Sequence, residues 1–132
     1  MRELVYQTIA NDTQLHALGL TVDAVSSGDV DSPAERPYVV LRWGETTPGV
    51  DKDTRRVNSR NLVVWIHDQP GDYTRIDQIL KRIRTVLIGL YAAQTSTGWL
   101  TGVDWTTDSS DLSDDVTGTI ARTSAYQVIG SD

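Results

Sequence analysis

The spacing of apolar residues after Gly71 predicts one long amphipathic helix. Apolar side chains recur at intervals of three and four residues, at Tyr73, Ile76, Ile79, Leu80, Ile83, Val86, Leu87 and Leu90. At about 100° per residue they form a single stripe, which is typical of a helix that packs one face on a sheet. Asp72 has the side chain of a good N-cap. The pattern therefore predicts a helix over Asp72–Ala93.

Elsewhere the pattern predicts shorter helical segments and four strands. The predicted helical segments are Arg2–Ala10 and Thr13–Leu18, and the predicted strands are Pro37–Trp43, Asn58–His67, Trp99–Trp105 (with a bulge at Gly102) and Thr117–Ile129. Segments rich in turn formers or charge are predicted loops, namely Val25–Pro33, Thr46–Val57, Ala92–Gly98 and Asp108–Asp115. The sequence predicts a single α+β domain over residues 1–132. Its fold would be a four-stranded, mainly antiparallel sheet with the long helix and the short N-terminal helix on one face.

Composition narrows the class of protein. The chain has 132 residues, a net charge of −6 and no cysteine. The negative charge argues against a general nucleic-acid binder, which needs a cationic surface. Without cysteine there are no disulfides or thiolate metal sites. The N-terminus lacks the apolar segment of a signal peptide, and no apolar run reaches the roughly 20 residues that span a bilayer. We expect a soluble protein.

The sequence contains no motif for catalysis, a cofactor or a metal. His16 and His67 lie far apart and have no second ligand at metal-binding spacing. The acidic segment Asp108–Asp115 lacks the spacing and central glycine of an EF-hand. Neither a G-x-S-x-G turn nor a phosphate-binding glycine loop is present. We therefore predict no catalytic residue, no cofactor and no metal, although an enzyme is not excluded by sequence alone.

Charged and aromatic residues outside the predicted core are candidates for a subunit interface. Basic residues cluster before the central strand, and acidic residues cluster in Asp104–Asp115. Each cluster either lies in a solvated loop or forms one half of a complementary contact between subunits. Trp65 falls on the sheet face away from the helices, where Trp43 or Trp105 could join it, while a loop folding over that face is the alternative. The predicted interface residues are Arg55, Arg56, Arg60, Trp65, Ile88, Asp111, Asp114 and Asp115.

The segment from Val64 to Leu80, VWIHDQPGDYTRIDQIL, resembles the central part of tail terminator proteins of siphophages, particularly those that infect actinobacteria. A looser resemblance extends over the whole chain, through Arg2–Tyr6, Leu15–Gly19, Arg36–Trp43 and Thr123–Val128. Such proteins are small α/β subunits that form hexameric rings.

The resemblance implies a structural role in a virion. A ring of this kind caps the tail tube, ends its polymerisation and provides the surface that joins the head. The implied partners are further copies of the chain, the major tail tube protein and a head–tail connector or stopper protein, with DNA passing through the lumen without specific binding. It implies assembly in the host cytoplasm and a final place at the head-proximal end of the tail. A connector or stopper protein, or a non-viral α+β ligand-binding module, is the alternative.

We also expect the charged segment Thr46–Val57 to be disordered in the free subunit and to become ordered against a neighbour.

Overall fold

The computed structural model describes residues 1–27, 36–48, 58–94 and 98–131. Its helices are α1 (Arg2–Ala10), α2 (Thr13–Ala17) and α3 (Thr74–Ile88), and a short 3-10 turn covers Val22–Ala24. Its strands are β1 (Val25–Ser27), β2 (Tyr38–Pro48), β3 (Asn58–Asp68), β4 (Tyr91–Gln94), β5 (Trp99–Asp108), β6 (Leu112–Asp114) and β7 (Thr119–Ser131).

The architecture is mostly sheet, and the predicted four-stranded fold with a long helix is wrong. The strands form a curled half-barrel in the order β1-β2-β3-β7-β5-β4, with β6 also paired to β7. β1 runs parallel to β2, whereas every other pair is antiparallel. β1 and β6 lie in segments predicted as loops, and β4 begins inside the predicted helix and ends in the predicted linker. Such short segments of small and polar residues carry no measurable alternation.

The helices pack on one face of this sheet. α3 contacts β3, β5 and β7, while α1 and α2 contact α3. The buried side chains of α3 are Ile76, Ile79, Leu80, Ile83 and Leu87, which belong to the predicted stripe. They meet strand residues that alternate inward, such as Leu62, Val64 and Ile66 of β3. One apolar core therefore lies between α3 and the sheet.

The bounds of α2 and α3 differ from the predicted bounds, whereas those of α1 agree with them. α1 has the predicted bounds, and Asp12 caps α2 by accepting a hydrogen bond of 3.0 Å from the Leu15 backbone N–H. α3 is shorter than predicted, since it begins at Thr74 and ends at Ile88. Tyr73 is its N-cap, while Asp72 accepts hydrogen bonds from the backbone N–H and hydroxyl of Thr74. The chain then turns directly into β4.

β7 organises the sheet. One side of β7 pairs with β3 along its whole length, and the other side pairs first with β6 and then with β5. The pairing of β5 with β7 shifts register between Leu100 and Gly102, which agrees with the bulge predicted there. β4 lies at one end of the strand order and β1 at the other.

Candidate subunit interface

The basic side of α3 is held within the subunit by ion pairs. Arg75 donates two hydrogen bonds, of 2.7 and 2.5 Å, to the carboxylate of Asp68. Arg82 donates two more, of 3.0 and 2.8 Å, to Asp12 at the start of α2. These bidentate pairs fix α3 to the end of β3 and to α2. The helix arginines are therefore engaged before any second subunit arrives.

The arginine partners lower the pKa of both carboxyl groups. Burial alone would raise the pKa of Asp68, but hydrogen bonds from Arg75 and from the Gln69 backbone N–H outweigh it and lower that pKa. At Asp12 the Arg82 guanidinium is the main cause of a lowered pKa. Both pairs thus persist at neutral pH.

A third arginine of α3 belongs to a polar and aromatic cluster at the sheet. Arg84 forms an ion pair with Asp108, and its guanidinium lies 4.1 Å from the ring centre of Trp105. Asp108 also accepts hydrogen bonds from the Trp105 indole N–H (2.9 Å) and the Ser124 hydroxyl (2.7 Å). This cluster ties the C-terminal half of α3 to β5 and β7.

The structure places Arg60 within its own subunit. Its Nε donates a hydrogen bond of 3.1 Å to the backbone carbonyl of Gly44, and its guanidinium lies 5.4 Å from the ring centre of Trp43. Arg55 and Arg56, together with most of Thr46–Val57, lie outside the described residues. The described beginning of that segment extends β2 to Pro48. A role for these arginines between subunits stays a prediction.

The predicted acidic partners lie around β6. Asp111 has a carboxylate oxygen 3.7 Å from the Nε of Arg122, and Asp115 is exposed. Asp114 accepts hydrogen bonds from the backbone N–H groups of Val116 (3.0 Å) and Thr117 (3.3 Å). Hydrogen bonds from Thr117 are the main cause of the lowered pKa of Asp114. Asp114 therefore shapes the turn between β6 and β7, whatever its role between subunits.

Trp65 lies on the sheet face away from the helices, as predicted, and is half-buried. It stacks on His67 at 6.1 Å between ring centres, and His67 stacks on Tyr38 at 4.5 Å. His67 also forms a hydrogen bond of 2.9 Å to the Thr119 hydroxyl. Burial is the main cause of the lowered pKa of His67, and Asp114 only partly opposes it.

The other two tryptophans do not join this face. Trp43 pairs with Leu62 and Trp105 pairs with Tyr126, so both tryptophans point to the helix side of the sheet. The predicted aromatic patch of Trp65 with Trp43 or Trp105 is therefore wrong. The faces on which Trp43 and Trp105 lie follow from the pairing of β2 with β3 and of β5 with β7. β2 also continues to Pro48, beyond the predicted end of that strand at Trp43.

Exposed apolar side chains lie at the β4 end of the sheet. Ile88 is 48% exposed at the end of α3, as its position outside the stripe predicted. Tyr91 of β4 is 76% exposed and Trp99 of β5 is also exposed. Neither Tyr91 nor Trp99 was predicted as an interface residue. The absence of charged residues around them in the sequence is the signal that could have identified them as interface candidates.

Neither a cofactor nor a metal site is evident in the part of the chain that the structure describes. Within residues 1–27, 36–48, 58–94 and 98–131, no group of three or more His, Asp or Glu side chains could hold a metal ion. An open groove of about 410 Å³ between α2 and α3 is lined partly by Ala17, Leu18, Lys81 and Arg82. Among the described helices, none is long and apolar enough to cross a membrane.

Comparisons with known proteins give a likeness of fold. No protein-family model matches the sequence, and no curated protein matches it. Among solved structures, the fold is similar to a chain in the virion of a native gene transfer agent particle, with a TM-score of 0.77. The match covers 97% of this chain and 92% of that chain at 19% sequence identity. The chain therefore shares the fold of a virion subunit over nearly its whole length.

Proposed function

We propose that this protein is a structural subunit of a phage-like virion. The observation that carries the proposal is the likeness of fold to the gene transfer agent virion chain, which extends over 97% of this chain. A subunit that works by assembly needs rigid surfaces, and the bidentate ion pairs of α3 supply that rigidity. The protein acts through contact surfaces in this proposal and is not an enzyme.

Within the virion, we propose that the chain forms the ring that caps the tail tube. The resemblance of Val64–Leu80 to siphophage tail terminator proteins supports this role, and a virion fold is compatible with it. The ring would stop addition of the tube protein and offer the opposite face to a head–tail connector or stopper protein. DNA would pass through a lumen whose subunits carry a net charge of −6 each, which disfavours adhesion to the phosphate backbone.

Deletion of the gene from the phage that encodes it tests the role. We expect overlong tail tubes that fail to join heads, because nothing would end polymerisation of the tube protein. A copy supplied in trans should restore tails of uniform length. Electron micrographs of the lysates measure both properties.

The same micrographs separate the alternative functions. Loss of a head-side connector or stopper protein would leave tails of normal length that are not attached to heads. Normal, infectious particles after the deletion would contradict both virion roles and would favour a ligand-binding module.

A further inference from the structure

One end of the sheet lacks the charged and proline residues that commonly protect strand edges. We define the neutral edge as Ile88, β4 (Tyr91–Gln94) and Trp99. β4 is the last strand in the sheet order, so no strand among the described residues pairs with its outer side. Outer edges of this kind present backbone N–H and C=O groups to any chain that approaches.

The neutral edge is also uncharged in an otherwise charged chain. No residue between Arg84 and Asp104 is charged, and this is the longest uncharged stretch in a sequence with 30 charged residues. Natural sheet edges are commonly protected by lysine, proline or other charged residues. The exposed strand β4 has none of these, since its sequence is Tyr-Ala-Ala-Gln.

The neutral edge combines exposed apolar side chains with an adjacent cavity. Tyr91 is the second most exposed large apolar side chain among the described residues, and Ile88 lies three residues before it. Beside them is a cavity of about 370 Å³, lined by Ala92, Ala93, Gln94, Trp99, Leu100 and Thr101. Exposed aromatic residues beside an apolar depression are typical of protein interfaces.

We propose that the neutral edge is the surface through which one copy of this chain binds the next copy. Two copies that each carry a net charge of −6 repel each other, and the repulsion is smallest where the contacting surface carries no charge. A basic partner would be attracted instead to the acidic segments around Asp104–Asp115. A second copy of this chain is therefore the occupant that the charge distribution favours.

The geometry of the contact follows from the proposed ring, on which this part of the inference rests. If β4 of one copy met β4 of another, the contact would be symmetric and the assembly would stop at two subunits. A ring requires the neutral edge to meet a different surface of the next copy. The backbone of β4 would then supply hydrogen bonds, while Ile88, Tyr91 and Trp99 supply the apolar contact.

The double variant Ile88→Lys/Tyr91→Lys tests the surface. Burying two lysines against a neighbour without partners should weaken self-association at least tenfold, because each would lose its hydration in the contact. Sedimentation velocity of the 132-residue chain, alone and with purified tube protein, measures the assembly. Hydrogen exchange measures the β4 amides, which should be more protected in wild-type assemblies than in the variant, where only the pairing with β5 remains. A single Gln94→Lys variant provides a milder change if the double variant has a lowered melting temperature.

The matched control is Gln7→Lys/Val22→Lys. Both positions are exposed, Gln7 on α1 and Val22 at 43%, and the two changes add the same charge elsewhere on the described surface. The control should assemble like the wild type. Wild-type assembly by the folded edge variants, or equal loss of assembly in the control, would overturn the inference.

Two further outcomes separate this inference from the proposed function. A wild-type protein that remains monomeric with and without tube protein would overturn the inference, and one that stops at a dimer would overturn the head-to-tail contact. Assembly through the neutral edge combined with tails of normal length after gene deletion would keep the inference and contradict the terminator role.

Discussion

At the scale of single residues, the structure is organised by arginine–carboxylate pairs that connect distant parts of the chain. Arg82 and Asp12 are 70 residues apart, and Arg84 and Asp108 are 24 apart. Sequence spacing does not reveal such pairs, because they depend on which loops the fold brings to α3. The arginines of α3 are visible in the sequence, but their partners are not.

The first prediction concerns Asp68→Asn. The side chain of Asp68 is only 4% exposed, and the substitution replaces its charged contact with Arg75 by a neutral one. We expect a loss of about 1–3 kcal/mol in the free energy of unfolding at pH 7, measured by urea denaturation. Asp115→Asn, at an exposed position, should change it by less than about 0.5 kcal/mol.

The pH dependence of this loss has a definite sign. Because folding lowers the pKa of Asp68, its contribution is present above the ordinary carboxyl pKa of about 3.9 and disappears as the pH falls through the lower folded value. The difference between wild type and Asp68→Asn should therefore shrink in acid. A difference that stays constant down to pH 2 would contradict the pairing.

The second prediction concerns His67, whose protonated form is positively charged. Burial lowers the pKa of its imidazole, so the unfolded chain binds this proton more readily than the folded one. Stability should consequently decrease as the pH falls from about 7.5 to about 5.5, around the ordinary histidine pKa near 6.5. His67→Gln should remove this part of the slope in thermal melts, and an unchanged slope would show that another group causes it.

At the scale of elements, the close approach of β5 to β7 explains a glycine. A Cβ added at Gly130 would overlap the Trp99 carbonyl oxygen and lie 3.0 Å from the Cα of Leu100. Both are backbone atoms, so the strand itself would have to move. The end of the sheet that carries the neutral edge depends on this contact.

The third prediction is that Gly130→Ala destabilises the fold by about 1–3 kcal/mol in chemical denaturation, as overpacking does elsewhere. Gly102→Ala is the matched control, because a Cβ there meets nothing within 4 Å. We expect the control to be within about 0.5 kcal/mol of the wild type. Equal stabilities for the two variants would contradict the tight β5–β7 packing.

The elements also show what sequence could and could not predict. α1, the core stripe of α3 and the two long central strands follow from periodicity that extends over nine residues or more. β1, β4 and β6 are strands only because a neighbouring strand offers them hydrogen bonds, which is a tertiary effect. Among the candidate interface residues, Ile88 and Trp65 could be predicted from the faces on which they lie. Tyr91 and Trp99 became candidates only once β4 was seen at the end of the sheet.

At the scale of the whole molecule, several of the charged residues form ion pairs within the subunit. The arginines of α3 and Arg122 pair with carboxylates of their own subunit. Arg55 and Arg56 lie outside the described residues, and their predicted role against Asp111, Asp114 or Asp115 of a neighbour is a separate hypothesis from the neutral edge.

The fourth prediction follows from that hypothesis. Arg55→Glu/Arg56→Glu should block assembly, because like charges would meet at the ring contact, while the melting temperature stays at the wild-type value. Arg2→Glu/Lys81→Glu makes the same change in net charge at other positions and should assemble normally. Tail length and head attachment in electron micrographs are the measurements. Normal tails from the Arg55→Glu/Arg56→Glu phage would contradict the hypothesis.

The central place of β7 has a consequence for synthesis in the cell. Residues 119–131 pair with both halves of the sheet, so β3 and β5 have no common neighbour until this last strand has left the ribosome. The sheet can therefore close only after translation of this segment, and earlier nascent chains expose the unpaired side of β3. Ribosome-bound chains that stop before Thr119 should therefore be digested readily by protease. Chains extended by a linker that brings Ser131 out of the ribosome should resist digestion, after a delay because contacts so distant in sequence form slowly.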